Sequence, residues 1–423
     1  MKKLALLALT ALLAAACCQE KTLELTVTND LGFDRQAETL EFCLETLQEA
    51  LGMSAEDTAV IVLGPDGQQV PTQVLHHSCH CLKFIFQADV PANSSVTYTL
   101  KKGSPEAFPC QAKATFMPRR KDDISWENNK TIFRMYGPAL VTDPVEGMVS
   151  GGLDLWVKRT EEMVSQKWYQ DEFDGKSSYH HDNGEGLDFY SVGTTLGAGA
   201  MAPFIDGKLW TVGSNFKSYE ILENGPIRTM FRLNYDAYDV NGRQVSESRL
   251  ITLDAGSYLN RTVILYQGFD APVTVAAGFP FRGFTEPAKL KRGQKDTRTI
   301  ADCKDIIFNK DAGYIAYGEP EHAENGIIFL GSLMLTPVSD MLLAGGHVLN
   351  CTLLDPERAM MYYSGGAWSK GGFADLNEWA DYLDRYAQRL ASPLKVCAGN
   401  CCEKGHDEAE GCQHHGDGHH CGE

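Results

Sequence analysis

The sequence predicts a mainly β protein whose largest part is an antiparallel β-sandwich, with a small β domain before it and one helix near the C-terminal end. Long strand-like stretches follow one another from Trp126 onward, and turn pairs such as Asn241-Gly242 separate them. The helical periods that parallel βα units need between their strands are missing. We therefore expect strands that are joined by turns.

Residues 22–105 are expected to form the small N-terminal β domain. Two runs alternate between apolar and polar residues, as half-buried strands do: Leu23, Leu25 and Val27, then Leu40, Phe42 and Leu44. The segment Pro65–Gly67 has turn composition and lies between two β-rich stretches, which predicts a hairpin. Further strands are predicted at 82–87 and 96–101.

The large sandwich is expected over residues 125–395. Its predicted strands read TIFRMYG, LDLWVKR, IRTMFRLNYDAYDV, SRLITLDAG, LNRTVILYQG, APVTVAAGF, GIIFLGSLML and AMMYYSGG. One helix follows, because Asp375 can cap its first turn, Glu378 stands three residues on, and Pro393 ends it. Apolar residues at helical spacing predict that this helix packs on the core: Leu376, Trp379, Leu383, Tyr386 and Leu390.

Both ends of the chain differ from the predicted globular part. Residues 1–16 contain two lysines, an apolar run and three alanines before Cys17, which is typical of a bacterial lipoprotein signal peptide. Acylation of Cys17, with Cys18 as the alternative, would anchor the protein to a membrane in the periplasm or on the outer membrane. Residues 396–423 are expected to form a flexible Cys- and His-rich tail, because they lack the apolar residues that build a core.

The composition is acidic, with 38 basic and 56 acidic residues and a net charge of −18. Nucleic acid is therefore not expected as a partner, because its phosphates need a basic surface. Gly193, Gly197 and Gly199 lack the spacing of a nucleotide-binding loop, so a nucleotide is not expected either. An acidic ligand would need a local basic cluster. The candidates for that cluster are Arg134, Lys158, Arg159, Arg228, Arg232 and Arg282.

One segment concentrates acid/base chemistry. Between Tyr179 and Tyr190 the chain has two histidines, three carboxylates and two tyrosines, and a glycine-rich run follows. Histidine titrates near neutral pH, and carboxylates or phenols beside it can orient it or relay its proton. The segment is a candidate for general acid/base catalysis or metal ligation, and a polar loop is the alternative.

Six longer blocks carry a family resemblance. They read WENNKTIFRMYGPAL, DLWVKRT, YHHDNGEGLDFYSVGTTLGAGAMAP, GPIRTMFRLNY, SRLITLDAGSYLN and YYSGGAWSK, in this order. Together they resemble a family of formally uncharacterised secreted domains from the polysaccharide-degrading systems of glycan-feeding bacteria. The resemblance covers residues 22–396 and implies a mutarotase-like or lyase-like β-supersandwich with carbohydrate as its ligand. It also implies elimination of water from an acidic oligosaccharide.

Such an elimination needs a base, a cation that stabilises enolate-like charge, and an acid for the leaving oxygen. His180 is the expected base or acid, because it lies in the block that resembles the family's YH motif. His181 is the less certain neighbour, since adjacent residues of an extended segment point to opposite faces. Glu185 and Asp188 are expected to orient the imidazole or bind sugar hydroxyls, and Tyr190 to donate the second proton.

Other residues are expected to hold the substrate. Arg134, with Lys158 or Arg159, would pair with its carboxylate. For the aromatic candidates the alternative is core packing, and for Arg134 it is a strand position that faces solvent. For Trp368 and Lys370 the alternative is a plain turn. The stacking and pocket-lining candidates are Trp126, Trp156, Trp168, Tyr169, Trp368 and Lys370.

Two segments rich in cysteine and histidine favour metal binding. The tail offers ligands for zinc, copper or nickel, but not in zinc-finger spacing, and disulfides compete for thiols in an oxidising compartment. The segment HHSCHC at 76–81 predicts either a metal site or a surface hairpin with a disulfide from Cys79 or Cys81. The tail ligands are Cys397, Cys401, Cys402, His406, Cys412, His414, His415, His419, His420 and Cys421.

The sequence thus favours a carbon–oxygen lyase, in particular a hydro-lyase, that acts on uronate-containing oligosaccharides. Two other functions stay open: a surface lipoprotein that binds glycan without chemistry, and an epimerase of mutarotase type. Basic and phenolic groups converging around His180 would favour the enzyme, and an open aromatic platform would favour the binding protein. All three share the predicted fold, so architecture alone does not separate them.

Overall fold

The computed structural model describes residues 21–78, 81–282, 304–356 and 358–399. The predicted signal peptide, Cys17 and nearly all of the predicted tail lie outside the described residues, as do Cys79 and His80. In the part that is described, no helix has the length and apolar composition needed to cross a membrane.

The N-terminal part consists of two small antiparallel sheets around an apolar core. Leu25 and Val27 alternate as predicted, and both side chains are buried beside Phe86 and Leu100. The sheets have the strand orders β25-β1-β6-β3 and β2-β5-β4. The elements are β1 Thr22–Asn29, β2 Arg35–Cys43, α1 Leu44–Leu51, β3 Val60–Leu63, β4 Thr72–Leu75, β5 Lys83–Val90 and β6 Ser94–Lys102, and the last described strand is β25 Lys395–Ala398.

Helix α1 begins where the sequence pattern predicts that a strand continues. β2 ends at Cys43, and Leu44 is the first helical residue. Leu44, Leu47 and Leu51 are buried at helical spacing, so the helical period replaces the alternation after Phe42. The prediction that Leu44 belongs to a strand is therefore wrong.

The turn at Pro65–Gly67 closes a short hairpin, in which Gly64 N–H donates to the Gln68 carbonyl and Val70 N–H donates to the Val62 carbonyl, but the pairing does not extend along β3 and β4. β3 pairs with β6 and β4 pairs with β5, so the two strands lie in different sheets. A single bridge joins the strand ends near the turn, between Leu63 and Gln69. Pro71 has no N–H to donate and stands just before β4, which explains why the pairing does not continue.

The larger part is a sandwich of antiparallel strands, as the sequence predicts. An eight-stranded sheet has the order β14-β15-β16-β17-β24-β21-β20-β19. Its elements and those of the opposite layer are β7 Ala112–Met117, β8 Asp123–Asn128, β9 Thr131–Met135, β10 Asp154–Lys158, α2 Ser165–Phe173, β11 Gly186–Leu187, β12 Met201–Ile205, β13 Lys208–Leu209, β14 Ser218–Glu223, β15 Arg228–Val240, β16 Arg243–Asp254, β17 Leu259–Gln267, β18 Val273–Pro280, β19 Ile306–Asn309, β20 Tyr314–Gly318, β21 Ile328–Met334, β22 Asp340–Ala344, β23 His347–Leu354, β24 Met360–Trp368 and α3 Leu376–Ala391.

Two five-stranded sheets form the opposite layer, in the orders β11-β10-β9-β8-β7 and β13-β12-β18-β23-β22. Each contributes aromatic side chains to the core that it shares with the eight-stranded sheet. The ring of Trp126 lies 4.8 Å from that of Phe231, and the ring of Phe279 lies 6.4 Å from that of Tyr317. The predicted β-sandwich is therefore confirmed.

Helix α3 covers the outer face of the eight-stranded sheet. The Asp375 carboxylate accepts hydrogen bonds from the backbone N–H groups of Asn377 and Glu378, so the predicted N-cap is confirmed. Trp379 and Leu383 are fully buried and lie directly over Gly331 of β21. A Cβ at Gly331 would lie 2.8 Å from Leu383 and 2.9 Å from Trp379, so the helix packs onto the backbone itself.

The last described strand returns to the first sheet. β25 pairs antiparallel with β1, with Ala398 opposite Leu25 and Val396 opposite Val27. Leu394, just before β25, is buried in the N-terminal core. The chain therefore re-enters the N-terminal part at the position where the sequence places the end of the sandwich.

Candidate active site

Three neighbouring strands of one five-stranded sheet carry charged residues on the face turned away from the sandwich core. Side chains of a strand alternate between the two faces of its sheet. Because Trp126, Phe133 and Leu155 point into the core, the residues beside them point outward. Helix α2 and Tyr179 pack over this outer face. We call it the polar face; it is formed by Asp123, Glu127, Arg134, Asp154 and Lys158, which are all buried.

Arg134 lies at the centre of the polar face. Its Nε donates to Asp154 Oδ2 at 2.7 Å, and its Nη2 donates to Asp188 Oδ2 at 3.3 Å. Its Nη1 lies 3.5 Å from the Tyr179 hydroxyl oxygen. Only 5% of the side chain is exposed, so Arg134 does not face solvent. It ties strand β9 to the segment that carries the predicted catalytic residues.

The carboxyl groups around Arg134 are poorly solvated. Burial raises the pKa of Asp123 to about 6, although the charges of Arg134 and Arg120 and a hydrogen bond from Gly137 N–H act in the opposite direction. Burial also raises the pKa of Asp188 well above its ordinary value, and the nearby charge of Asp154 adds to this effect. The polar face therefore holds carboxyl groups that retain protons more readily than exposed ones.

The His180 imidazole reaches solvent at the edge of the polar face, since 54% of its side chain is exposed. Its Nδ1 lies 3.0 Å from the backbone carbonyl oxygen of Asp188. A carbonyl oxygen only accepts, so this bond places the ring proton on Nδ1 and leaves the Nε2 lone pair able to take a proton. His180 therefore has the tautomer that a general base needs.

Tyr179 is the phenol next to His180, and their ring centres are 4.5 Å apart. Its hydroxyl oxygen accepts from Arg120 Nε at 3.3 Å and from Arg134 Nη1 at 3.5 Å. Its ring stacks on Trp156, 4.5 Å away, which fixes its orientation. The hydroxyl can still donate its own proton, and the two guanidiniums can offset the negative charge that remains.

Arg120 is a site residue that the sequence patterns do not single out. The available signal is the run Arg119, Arg120, Lys121 directly before β8. Lys121 and Asp122 both have left-handed backbones, with φ of 57° and 64°. Consecutive non-glycine residues of this kind are strained, and such strain concentrates at functional sites. Gly137 permits the bend, because a Cβ there would lie 2.1 Å from the Asp122 backbone.

Tyr190, the predicted donor of the second proton, belongs to a different polar cluster. Its hydroxyl is buried near Arg282 and Glu319, and burial raises its pKa well above the ordinary value. The Arg282 guanidinium carbon lies 5.1 Å from the centre of the Tyr190 ring and pairs with the Glu319 carboxylate. The phenol beside His180 is Tyr179, so the role given to Tyr190 is corrected.

Three charged residues make contacts other than the predicted ones. Glu185 accepts from Lys167 Nζ and from Trp168 Nε1 rather than from the His180 ring, so it anchors α2. Lys158 is bound to Glu127 at 2.8 Å and is fully buried, so it cannot also receive a substrate carboxylate as it stands. Arg159 is paired with Asp182 and remains about one-third exposed.

Two other basic candidates lie away from the polar face. Arg228 is buried in the contact between the two parts of the molecule, where it binds Glu41 and Asp254. Arg232 is half-exposed on the eight-stranded sheet and lies 3.6 Å from Glu220. Neither therefore adds to the charge near His180.

The predicted sugar-stacking residues are buried, so their ring faces contact protein. Trp126 lies in the sandwich core, and its Nε1 donates to Asn260 Oδ1 at 2.6 Å. The pleat explains this, because Trp126 falls on the inner face of β8. The stacking prediction is wrong for the other buried rings as well: Trp156, Trp168, Tyr169 and Trp368.

Two of the remaining candidates lie near the surface. His181 is exposed and follows His180 in a turn that is closed by the bond from His181 N–H to the Ser178 carbonyl. Lys370 Nζ donates to the Glu324 carbonyl oxygen at 2.6 Å. Both can reach a ligand only from the rim of the site.

The metal predictions fall mostly outside the described chain. Cys397 is described, and it lies in β25 opposite Thr26; the other nine predicted tail ligands are not described. Among the described residues, no group of three or more histidine, cysteine or acidic side chains is placed to hold a metal ion. Cys81 has a free thiol, as does Cys43, so Cys81 does not form the predicted disulfide in this structure.

Comparison with known proteins places this chain among uncharacterised relatives. Residues 27–396 match the family described as domain of unknown function DUF4861. The chain is 30% identical over 397 residues to the uncharacterized protein P7 of Formosa agariphila, which covers 88% of this chain and 92% of that protein.

Two solved structures from Enterococcus faecalis are similar in fold. An alpha-mannosidase from strain V583 gives a TM-score of 0.50 at 12% identity, over 92% of this chain and 48% of that one. A protein in glycosyl hydrolase family 38 gives 0.49 at 10% identity, over 92% of this chain and 49% of that one. The chain spans about half the length of these two proteins, and the likeness concerns the fold alone.

Proposed function

The chain belongs to the DUF4861 family, and from this membership and the site geometry we propose that it is a carbohydrate-active carbon–oxygen lyase. Its substrate is a uronate-containing oligosaccharide, from which it removes water or a glycosidic leaving group. The fold that the chain shares with an alpha-mannosidase supports carbohydrate as the ligand class. The resemblance of the sequence to secreted domains of polysaccharide-degrading systems supports a role in polysaccharide degradation.

One observation carries the proposal: a histidine held in its basic tautomer stands beside a phenol that two guanidiniums contact. His180 Nδ1 is bonded to the Asp188 carbonyl, and the Tyr179 hydroxyl accepts from Arg120 and Arg134. A base, an acid and positive charge are the groups that elimination beside a carboxylate requires. The edge of the polar face provides all three.

In the proposed reaction, His180 Nε2 takes the proton from the carbon next to the substrate carboxylate. The electron pair of the broken C–H bond moves onto the carboxylate, where Arg120 offsets the growing charge. It then forms the C=C bond as the neighbouring C–O bond breaks, and Tyr179 gives its proton to the departing oxygen. The products are an unsaturated uronate and either water or a free sugar hydroxyl. His180 then loses its proton to solvent and the Tyr179 phenolate takes one up, which restores both groups.

Arg134 acts indirectly, because Asp154 and Asp188 already occupy most of its hydrogen-bonding capacity. It holds the Tyr179 hydroxyl and the Asp188 segment in place. Asp188 in turn positions His180 through its backbone carbonyl rather than through its carboxylate, which lies 3.6 Å from Nδ1. The predicted orienting role of Asp188 is therefore retained through a different atom.

The reaction is tested by incubating the protein with glucuronate-containing oligosaccharides and following the ultraviolet absorbance of the new double bond. We expect His180→Ala and Tyr179→Phe each to lower kcat by about 100-fold or more, since acid/base groups typically contribute that much. His181→Ala is the matched control, because His181 is an adjacent, exposed histidine. Its activity should stay within about twofold.

Two outcomes would contradict the proposal. Oligosaccharide that binds but is recovered unchanged from the wild-type protein would favour the non-catalytic glycan-binding alternative. A changed sugar without the chromophore would favour the epimerase. If His180→Ala retained as much activity as the control His181→Ala, His180 would not act as the base.

We further propose that Cys17 is acylated and that the protein resides in the bacterial envelope, in the periplasm or on the outer membrane. The support is the signal-like sequence of residues 1–16. Metabolic labelling with palmitate should mark the wild-type protein and not Cys17→Ala. Equal labelling of the two proteins would remove this assignment.

A further inference from the structure

Glu146 covers the outward side of Arg120. Its Oε2 lies 2.8 Å from Arg120 Nη2, and its Oε1 lies 3.2 Å from Lys121 Nζ, so one carboxylate bridges two cations. The Glu146 side chain is 47% exposed, whereas those of Arg120 and Lys121 are 17% and 23% exposed. Proteins recognise free carboxylates by similar contacts between one carboxylate and paired cations.

Arg120 has unused hydrogen-bonding capacity. Its Nε donates to the Tyr179 hydroxyl, and its Nη1 is buried without a hydrogen-bond partner among the described residues. A buried donor without a partner is unusual and unfavourable. Because this nitrogen is buried, a ligand from solvent would contact Arg120 through Nη2, the nitrogen that faces Glu146.

The turn that carries Glu146 is held by local bonds and by an ion pair between Asp143 Oδ2 and Lys121 Nζ, 2.9 Å apart. Asp143 Oδ1 accepts from the backbone N–H groups of Val145 and Glu146, and Gly147 N–H donates to the Asp143 carbonyl. Val145 is 87% exposed and adds no packing. Ion pairs of a half-exposed side chain are weak, so a competing carboxylate can replace Glu146 without disturbing the core.

We propose that Arg120 and Lys121 form the subsite for the carboxylate of the substrate, and that Glu146 occupies this subsite until an acidic sugar displaces it. The inference deepens the proposed function and rests on it, because it places the uronate ring next to Tyr179. A neutral sugar has no group that can replace Glu146 on the two cations. The contact therefore also discriminates between acidic and neutral oligosaccharides.

The subsite is tested by titration calorimetry in a His180→Ala background, which prevents consumption of the sugar. The probes are a glucuronate-containing oligosaccharide and its carboxyl-reduced, neutral counterpart. We expect Glu146→Gln to bind the acidic probe roughly 3- to 30-fold more tightly and the neutral probe unchanged. Arg120→Gln should weaken binding of the acidic probe by about tenfold or more and change binding of the neutral probe little.

Glu161→Gln is the control, because Glu161 is 69% exposed and pairs with Lys130 at 2.6 Å. Unchanged affinity of Glu146→Gln for the acidic probe, equal tightening for both probes, or failure of the parent protein to bind the acidic probe would overturn the subsite. Binding is measured without turnover. A wild-type protein that discriminates as expected but eliminates nothing would therefore refute the reaction and leave the subsite standing.

Discussion

At the scale of single residues, burial sets the chemistry of the polar face more strongly than proximity does. Asp123 lies only 3.9 Å from the Arg134 guanidinium, yet the pKa of Asp123 is raised to about 6, because its carboxyl group is fully buried. Charging this group in the folded protein is therefore unfavourable relative to charging it in water.

The pH dependence of stability should reveal this cost. The pKa of Asp123 is raised on folding, so its contribution to stability is largest below about pH 3.8 and is lost as the pH rises through about 6. Asp123→Asn removes the charge and keeps an acceptor for Gly137 N–H. From about pH 4.5 to about pH 7.5, we expect the variant to gain roughly 2 kcal/mol relative to wild type, measured by urea unfolding.

Asp143→Asn serves as the control, because its stability relative to wild type should change with pH in the opposite direction. The pKa of Asp143 is lowered to about 2, first by hydrogen bonding from Glu146 N–H and then by Lys121. The ionised Asp143 carboxylate therefore stabilises the fold at neutral pH, and this stabilisation is lost as the pH falls. The unfolding free energy of the variant should lie furthest below that of wild type at neutral pH. A pH-independent difference for Asp123→Asn would show that folding leaves the pKa of Asp123 unchanged.

Sequence reasoning locates the His180 segment but not its partners. Two histidines, three carboxylates and two tyrosines within one short stretch are visible in the sequence alone. The choice of Tyr179 over Tyr190 depends on how Arg120, which precedes β8, and Arg134 of β9 meet that stretch, and such long-range contacts have no local signature. The aromatic platforms fail for a simpler reason: apolar rings in strands favour burial.

At the scale of elements, the sequence predicts strands correctly where one hydrophobic period dominates and incorrectly where the strand and helix periods overlap. The segments β15, β16, β17 and β24 are long and clearly patterned, so their prediction is confirmed. The run from Leu40 to Leu51 fits alternation at its start and the helical period at its end, which hides α1. Pairing partners, as for β3 and β4, depend on the whole sheet.

The contact between α3 and β21 offers a test at this scale. Gly331→Ala places a methyl group within 2.8 to 2.9 Å of Leu383 and Trp379, both of which are fully buried. Overpacking of this kind typically destabilises a protein by about 1–3 kcal/mol. Thermal unfolding of the variant should show a lower Tm than that of wild type.

Gly32→Ala is the matched control, because nothing lies within 4 Å of a Cβ at that position. Its Tm should match that of wild type closely. If Gly331→Ala behaves in the same way, the helix does not rest on the sheet as tightly as the distances indicate.

At the scale of the whole molecule, β25 joins the last described part of the chain to the first described strand, β1. Ending the chain after Ser392 removes Leu394 from the N-terminal core and uncovers the edge of β1. We expect a loss of roughly 2 kcal/mol or more of unfolding free energy from the lost apolar burial and strand pairing. Urea unfolding and binding of a dye for exposed apolar surface measure this change.

A chain that ends after Gly399 is the matched comparison, because it keeps β25 and lacks the predicted metal-binding tail. Its stability should equal that of the full chain, while its uptake of zinc or copper should fall sharply if the tail binds metal. Equal stability of both shortened chains would show that β25 is dispensable. Unchanged metal uptake would point to another site, such as the segment at 76–81.

The overall architecture follows from the sequence because it needs only patterns that are local. Antiparallel sandwich, small N-terminal β part and C-terminal helix each rest on strand length, turn composition or a cap. The return of β25 to β1 could not be anticipated, because Lys395–Ala398 is four residues long and carries no turn signal toward its distant partner.

Because β25 is the last strand that the structure describes, the sheet that contains the first described strand is completed only when residues far along the chain are available. Until then, β1 keeps one row of backbone groups unpaired, and these are the groups that attract neighbouring unfolded chains. The arrival of β25, rather than completion of an early domain, thus sets the moment when this edge is shielded.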